Sequence, residues 1–142
     1  MNTLIFDFNR TLFEPETGAL YPDAYSTCVE LKRRGYRLLL LSQEKAEREG
    51  LITELGLETL FERVLLTPTK DVASFQALLE GLETKEIFVI GDGEEREIRI
   101  GHLLGYRGIW LDRTEGAFGY PNYLASPWQT IHELHALLDL LP

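Results

Sequence analysis

Leu4-Ile5-Phe6-Asp7-Phe8-Asn9-Arg10-Thr11 runs from three consecutive apolar residues straight into a carboxylate. A second apolar run, Ile87 to Ile90, ends the same way, in Gly91 and Asp92. Short continuous apolar runs bounded by turn-forming residues read as buried strands. In open α/β sheets ligands bind at the carboxyl ends of the strands. Two such strands therefore aim two carboxylates at one metal ion or one phosphoryl group.

Outward from these two runs, strand and helix alternate. Thr3–Phe8 reads as a strand, and Asp23 as the cap of a helix reaching Arg34 with Gly35 as its stop. Arg37–Leu41 is a nearly unbroken apolar strand ending at Ser42, and Lys45 to Leu55 a mostly solvated helix ended by Gly56. Val64–Leu66 is a short strand, followed by a helix from Asp71 to about Leu82. Ile87–Ile90 is the next strand, a helix spans Glu94 to Leu104, and Ile109–Leu111 is the last strand. Ser126-Pro127 supplies an N-cap and first-turn proline to a final helix with Ile131, Leu134, Leu138 and Leu141 on one face. Continuous apolar strands separated by helices imply a parallel sheet covered on both faces. The expected fold is α/β: a doubly wound, three-layer Rossmann-like sandwich around a central, mostly parallel five-stranded sheet. It is expected to form one domain over residues 1–142, with no repeat, low-complexity segment or linker.

Bulk properties bound the function. At 142 residues the chain can bury one real core, and 44% apolar with 26% charged residues is ordinary for a globular protein. A net charge of −9 argues against a nucleic-acid partner or an anionic membrane surface, both of which require a basic patch. Cys28 is alone, which excludes an intramolecular disulfide and a thiolate metal site, and its helical register with Leu31 reads as core packing. No signal peptide and no apolar stretch of ~20 residues is present, so the expected location is the cytoplasm.

Asp7, Ser42, Lys70 and Asp92 all fall at the carboxyl ends of successive predicted strands. Each alone has a purely structural explanation: a strand-terminal Asp or Ser caps the next turn, and Gly91-Asp92-Gly93 makes a tight turn. Four on one edge of one sheet make a chemical unit. A carboxylate can attack phosphorus and form an acyl phosphate, splitting one hard hydrolysis into two easier steps. Mg²⁺ brings a carboxylate against a phosphate that would otherwise repel it, and Asp92 and Glu97 offer oxygen ligands for that ion. The Ser42 hydroxyl and Lys70 ammonium would take the remaining phosphoryl oxygens. Lys70 precedes a helix N-terminus, where a cation is disfavoured without an anionic partner. Lys85, the rival lysine, precedes its strand and so stands at the opposite edge.

These residues resemble the four motifs of the haloacid dehalogenase-like superfamily, whose members are mostly Mg²⁺-dependent phosphatases and phosphotransferases. The first motif, Asp-x-Asp-x-Thr after an apolar strand, is matched by Asp7-Phe8-Asn9-Arg10-Thr11. The second, an apolar strand ending in Ser or Thr, is matched by Leu38–Leu41 and Ser42. Lys70 matches the third, and Gly91, Asp92 and Glu97 match the fourth. The correspondence covers Met1 to about Leu140. The resemblance implies Asp7 as nucleophile and Mg²⁺ ligand, with the metal also held by the backbone carbonyl of Asn9, by Asp92 and by Glu97. It implies Thr11, Ser42, Gln43 and Lys70 as phosphate-binding residues, with Thr11 also supporting the loop.

Asn9 departs from the pattern. Phosphatases of the superfamily have a second Asp there, which protonates the leaving oxygen and later activates water. An amide hydrogen-bonds but exchanges no proton near neutral pH, and losing general acid–base help costs about 10²–10⁴ in rate. Arg10 also departs, since the superfamily often has Gly there, and its charge is either a grip on a second anionic group or a solvated loop charge. Three readings follow: a slow phosphatase, using Glu14, Glu44 or a histidine as a stand-in acid; a phosphotransferase with a long-lived phosphorylated state; or a non-catalytic module that keeps the metal and phosphate pocket. Dehalogenases of the superfamily also lack the second Asp, but they usually carry an extra helical cap.

Only 35 positions separate Asp7 from Ser42 and 28 separate Ser42 from Lys70, leaving no room for an inserted cap domain. Capless relatives tend to act on macromolecules or to close their sites by oligomerising. The expected partner is thus a phosphorylated small molecule or macromolecule, with a homo-oligomer left open. Leu12 to Tyr21, with Pro15 and Gly18, resembles a short flap. Gly116 to Pro127, with Phe118, Tyr120 and Tyr123, and Trp128 beyond, reads either as packing over the final strand or as a contact surface.

Overall fold

The computed structural model describes residues 1–93, 98–113 and 126–142. In chain order the first elements are β1 (Thr3–Phe6), the hairpin strands β2 (Phe13–Glu14) and β3 (Ala19–Leu20), α1 (Ala24–Arg33) and β4 (Arg37–Gln43). They are followed by α2 (Arg48–Glu54), a 3₁₀ turn (Leu57–Thr59), β5 (Arg63–Thr67), α3 (Val72–Leu79) and β6 (Ile87–Gly91). Last come α4 (Arg99–Leu103), β7 (Arg107–Leu111), β8 (Gln129–Ile131), a second 3₁₀ turn (Leu134–Ala136) and α5 (Leu137–Leu140).

The central sheet is parallel throughout, in the order β5-β4-β1-β6-β7-β8. Strand β1 is buried on both faces, as its unbroken apolar run requires. Successive residues of the strands point to opposite faces and build two cores. Leu4, Phe6, Leu38, Leu40, Phe88, Ile90 and Ile109 pack with Ala24, Cys28 and Leu31 of α1, Ile52 of α2 and Leu137 of α5. Ile5, Leu39, Leu41 and Val89 pack with Phe75 and Leu78 of α3 and Ile100 of α4. These are the three expected layers. Cys28 is fully buried among apolar side chains, which pushes its thiol up to about 12 and fits a packing role. Gly35, just after α1, has φ 95°, the left-handed turn for which glycine is suited.

The sheet has six strands, not five. The sixth, β8, lies where the sequence pattern suggested the start of a helix. Ile131 is buried because it pairs with Leu111 at the sheet edge, and the chain turns helical only from Leu134. Leu134, Leu137 and Leu141 are buried and Leu138 only partly so. A three-residue strand is too short to show a two-residue period, so the apolar spacing mimicked a longer helix. The helix expected from Lys45 begins at Arg48, and the strand expected to run to Phe8 leaves the ladder after Phe6. Among the described residues, only the β2–β3 hairpin and α1 intervene between β1 and β4, and no helix is long and apolar enough to cross a membrane.

Candidate active site

Chain order radiates from β1 in both directions, through β4 and β5 on one side and β6, β7 and β8 on the other. Such a switch point opens a crevice at the carboxyl edge of the sheet. Phe6 is level with Leu40 of β4 and with Ile90 of β6. The residues just beyond those positions, Asp7, Ser42 and Asp92, therefore emerge side by side. Asp7 keeps one more backbone bond to β6, its N–H donating to the Ile90 carbonyl at 3.0 Å.

Lys70 completes the group. It sits between β5 and α3, where Asp71 caps α3 by accepting from the Ser74 N–H at 3.0 Å. The Lys70 ammonium donates to Asp7 Oδ1 at 2.7 Å, which supplies the anionic partner that its place before a helix demands. Gln43 donates through Nε2 to the Pro68 carbonyl at 3.4 Å, tying the end of β4 to the loop that carries Lys70. Lys85 stands at the opposite edge, its N–H bonded to the Met1 carbonyl.

Ser42 lies within β4, paired with Leu66 of β5, so it caps no helix. Its hydroxyl donates to the Gln43 carbonyl at 3.2 Å and accepts from Arg48 Nη1 at 2.6 Å. Arg48 went unnoticed in the sequence because it belongs to a stretch dense in charge, Glu44 to Glu49, that reads as solvated. It is in fact buried, with its guanidinium carbon 4.7 Å from the centre of the Phe8 ring. No periodic signal marks a single inward-facing arginine in such a run.

The Asp92 carboxyl is pushed up to about 6, first by burial and then by the neighbouring Asp7 carboxylate, with Lys70 and Arg10 pulling the other way. Its main chain is held from β7, where the Trp110 indole N–H donates to the Asp92 carbonyl at 3.2 Å. A carboxyl strained by a like charge in a half-buried crevice is suited to a divalent cation. Asp7 and Asp92 would offer the oxygen ligands that Mg²⁺ prefers. Among the described residues no group of three or more His, Cys, Asp or Glu could hold a metal, and Glu97 lies outside the described residues. Mg²⁺ characteristically uses only one or two protein carboxylates and fills the rest of its shell with water and phosphate.

The loop after β1 folds back on itself: the Leu12 and Phe13 N–H groups both donate to the Phe8 carbonyl, at 2.9 and 3.0 Å. Thr11 is fully buried, and its hydroxyl has no hydrogen-bond partner among the described residues. Its contribution is through the main chain, where its carbonyl accepts from Arg113 Nη2 at 2.8 Å. Arg113 also stacks on Tyr21, 3.6 Å from the ring centre, and so ties the flap hairpin to this loop. Arg10 is exposed and pairs with Glu16 inside the flap, as a solvated loop charge would.

The Asn9 side chain makes no hydrogen bond among the described residues. Glu14 takes the Thr17 hydroxyl, and Glu44 is exposed at the end of β4. His132 bonds the Asp112 carbonyl, and the His135 N–H reaches Asp23. None of these candidate acids bonds to Asn9. Of the aromatic segment 116–128, Phe118, Tyr120 and Tyr123 lie outside the described residues, while Trp128 packs 5.5 Å from the Phe88 ring.

No protein-family model matches the chain. A phosphoserine phosphatase of Thermus thermophilus is 30% identical in a match that covers 66% of this chain and 41% of the relative. The chain thus spans about two fifths of the length of the curated relative it matches. Among solved structures, a HAD phosphatase from Thermococcus onnurineus superposes with a TM-score of 0.81 at 15% identity, covering 99% of this chain and 98% of that one. A D,D-heptose 1.7-bisphosphate phosphatase from B. bronchiseptica, complexed with magnesium and phosphate, gives 0.74 at 12% identity over 99% and 98% of the two chains. At these identities the structural likeness is one of fold. The chain therefore has the fold of these phosphatases and is similar in part of its sequence to one more, with the four motif-like segments in order along it.

Proposed function

We propose that the chain is a Mg²⁺-dependent phosphohydrolase that acts on a phosphomonoester through an aspartyl-phosphate at Asp7, at a rate limited by Asn9. The observation that carries this reading is the buried Lys70–Asp7 pair at 2.7 Å, on the same sheet edge as Ser42 and Asp92. A lysine so close orients the Asp7 carboxylate at the end of β1, from where it can attack phosphorus. Similarity to a phosphoserine phosphatase in sequence and to a HAD phosphatase in fold supports the same chemistry.

In this mechanism an Asp7 oxygen forms a bond to phosphorus as the bond to the leaving oxygen breaks. Ser42 and Lys70 hold the phosphoryl oxygens, where negative charge accumulates. Mg²⁺, held by Asp7, Asp92 and the Asn9 carbonyl, would supply the positive charge that lets carboxylate and phosphate meet. The leaving oxygen departs without a proton from position 9, which favours substrates with good leaving groups. Water then cleaves the acyl phosphate, again without a general base at that position.

p-Nitrophenyl phosphate with Mg²⁺ tests this, because its leaving group tolerates a missing acid. The native protein should turn it over slowly, Asp7→Asn should abolish turnover, and Asn9→Asp should raise it about 10²-fold or more. Turnover untouched by Asp7→Asn would end the proposal. The unpartnered Asn9 side chain favours a second reading, a metal- and phosphate-binding module without turnover. That reading expects no product from the native protein while phosphate binding persists.

A further inference from the structure

Arg48 is 8% exposed, yet among the described residues it has no carboxylate as an ion-pair partner. A cation is seldom buried unpaired, because nothing then makes up for its lost hydration. Arg48 lies over the Phe8 ring face at 4.7 Å and donates to the Ser42 hydroxyl at 2.6 Å. Ser42 lies at the carboxyl end of its strand beside Asp7, and Phe8, buried in the core, follows Asp7 directly in the chain. The Asp7 charge is also near enough to act on the guanidinium. The backbone is bent to place it there: Glu47, just before α2, has φ 64°, a left-handed conformation that a glutamate adopts at a cost.

The hydrogen-bond direction at Ser42 carries the argument further. Arginine has no acceptor, so Ser42 Oγ must accept from it and retains its own proton to give away. Within the chain that proton goes to the Gln43 carbonyl at 3.2 Å, long for an O–H···O bond and readily exchanged for a better acceptor. A phosphoryl oxygen is such an acceptor. Charge agrees: Asp7 and Asp92 carry two negative charges, and Lys70 with Arg48 balances both. A Mg²⁺ ion and a phosphate dianion then enter with the balance unchanged.

We propose that Arg48 is the second cation of the phosphoryl pocket, a positioning residue that turns the Ser42 hydroxyl into a hydrogen-bond donor for the phosphoryl oxygen. This inference rests on the phosphatase reading of the pocket. Its test is the affinity of the intact chain for inorganic phosphate at saturating Mg²⁺, measured by titration calorimetry. Mg²⁺ affinity without phosphate and the urea midpoint are measured alongside.

Arg48→Met keeps the side-chain length and the packing on Phe8 while removing the buried charge, so it should fold with an unchanged or higher urea midpoint. It should nonetheless weaken phosphate binding at least tenfold and leave Mg²⁺ affinity within about twofold. Arg48→Lys should recover part of the loss. On a Ser42→Ala background Arg48→Met should cost less than threefold, because its route is already cut. Native-like phosphate affinity in Arg48→Met, or an equal loss with and without Ser42, overturns the proposal. If Arg48→Met does not fold, Arg48→Lys decides, and native-like phosphate affinity there overturns the proposal as well. Absence of phosphate binding by the native protein would overturn the phosphatase reading itself, and the role of Arg48 with it.

Discussion

Lys70 Nζ lies 2.7 Å from Asp7 Oδ1, joining the loop before α3 to the end of β1 across 63 positions of sequence. The two side chains are 2% and 13% exposed, so neither charge has ready access to water. Breaking such a pair from one side leaves a charge that the fold must still bury, at a cost of about 3–5 kcal/mol when burial is complete. With Asp7 slightly open, Lys70→Met should lower unfolding free energy in EDTA by about 2–3 kcal/mol. The double variant with Asp7→Asn should lose less than the two single losses combined. Urea unfolding of the four proteins measures this, and strictly additive losses would show that the contact contributes little.

Asp92 predicts an unusual pH response for the metal-free protein. Its folded carboxyl titrates near 6, whereas an unfolded aspartate titrates near 3.9. Between these values the folded state holds the extra proton, so this contribution to stability is complete below about pH 4 and lost as pH rises through about 6. In EDTA at pH 7.5, Asp92→Asn should therefore stabilise the protein, by about 1–2 kcal/mol after allowance for partial solvent access. It should also abolish the rise in Tm that Mg²⁺ gives the native protein by binding only the folded state. Thermal melts at pH 5 and 7.5, with and without Mg²⁺, check both signs. A destabilised Asp92→Asn protein would mean that hydrogen bonds to Asp92 outweigh its desolvation.

What was legible in the sequence was whatever a buried parallel strand forces on the chain. The run Leu4-Ile5-Phe6 must be covered on both faces, and its end must point to the crevice, so Asp7, Ser42 and Asp92 could be placed before any coordinates. Lys70 was legible for an electrostatic reason, its position before a helix requiring an anion nearby. Ile131 was misread because a three-residue edge strand is shorter than any period that identifies it. Arg48 was invisible because its burial follows from the turn at Glu47, and a left-handed glutamate has no signature in sequence. Thr11 was read as a support for the loop, and its carbonyl accepts from Arg113 there.

The same left-handed turn can be tested directly. Arg10 and Glu47 are the non-glycine residues at positive φ, 61° and 64°, among those described, and both flank the candidate site. A non-glycine residue in this region costs about 1–2 kcal/mol, while glycine gives back part of that saving through a more flexible unfolded chain. Glu47→Gly should then raise stability by about 0.5–1 kcal/mol. Arg10→Gly should gain less, because it also forfeits the exposed, solvent-screened ion pair with Glu16. Urea midpoints should rank Glu47→Gly above Arg10→Gly, with the native protein lowest or level with the latter. A drop in stability for Glu47→Gly would mean that its side chain, rather than the turn it makes, holds the start of α2. Arg48 would then owe its buried position to that side chain instead of to the left-handed bend.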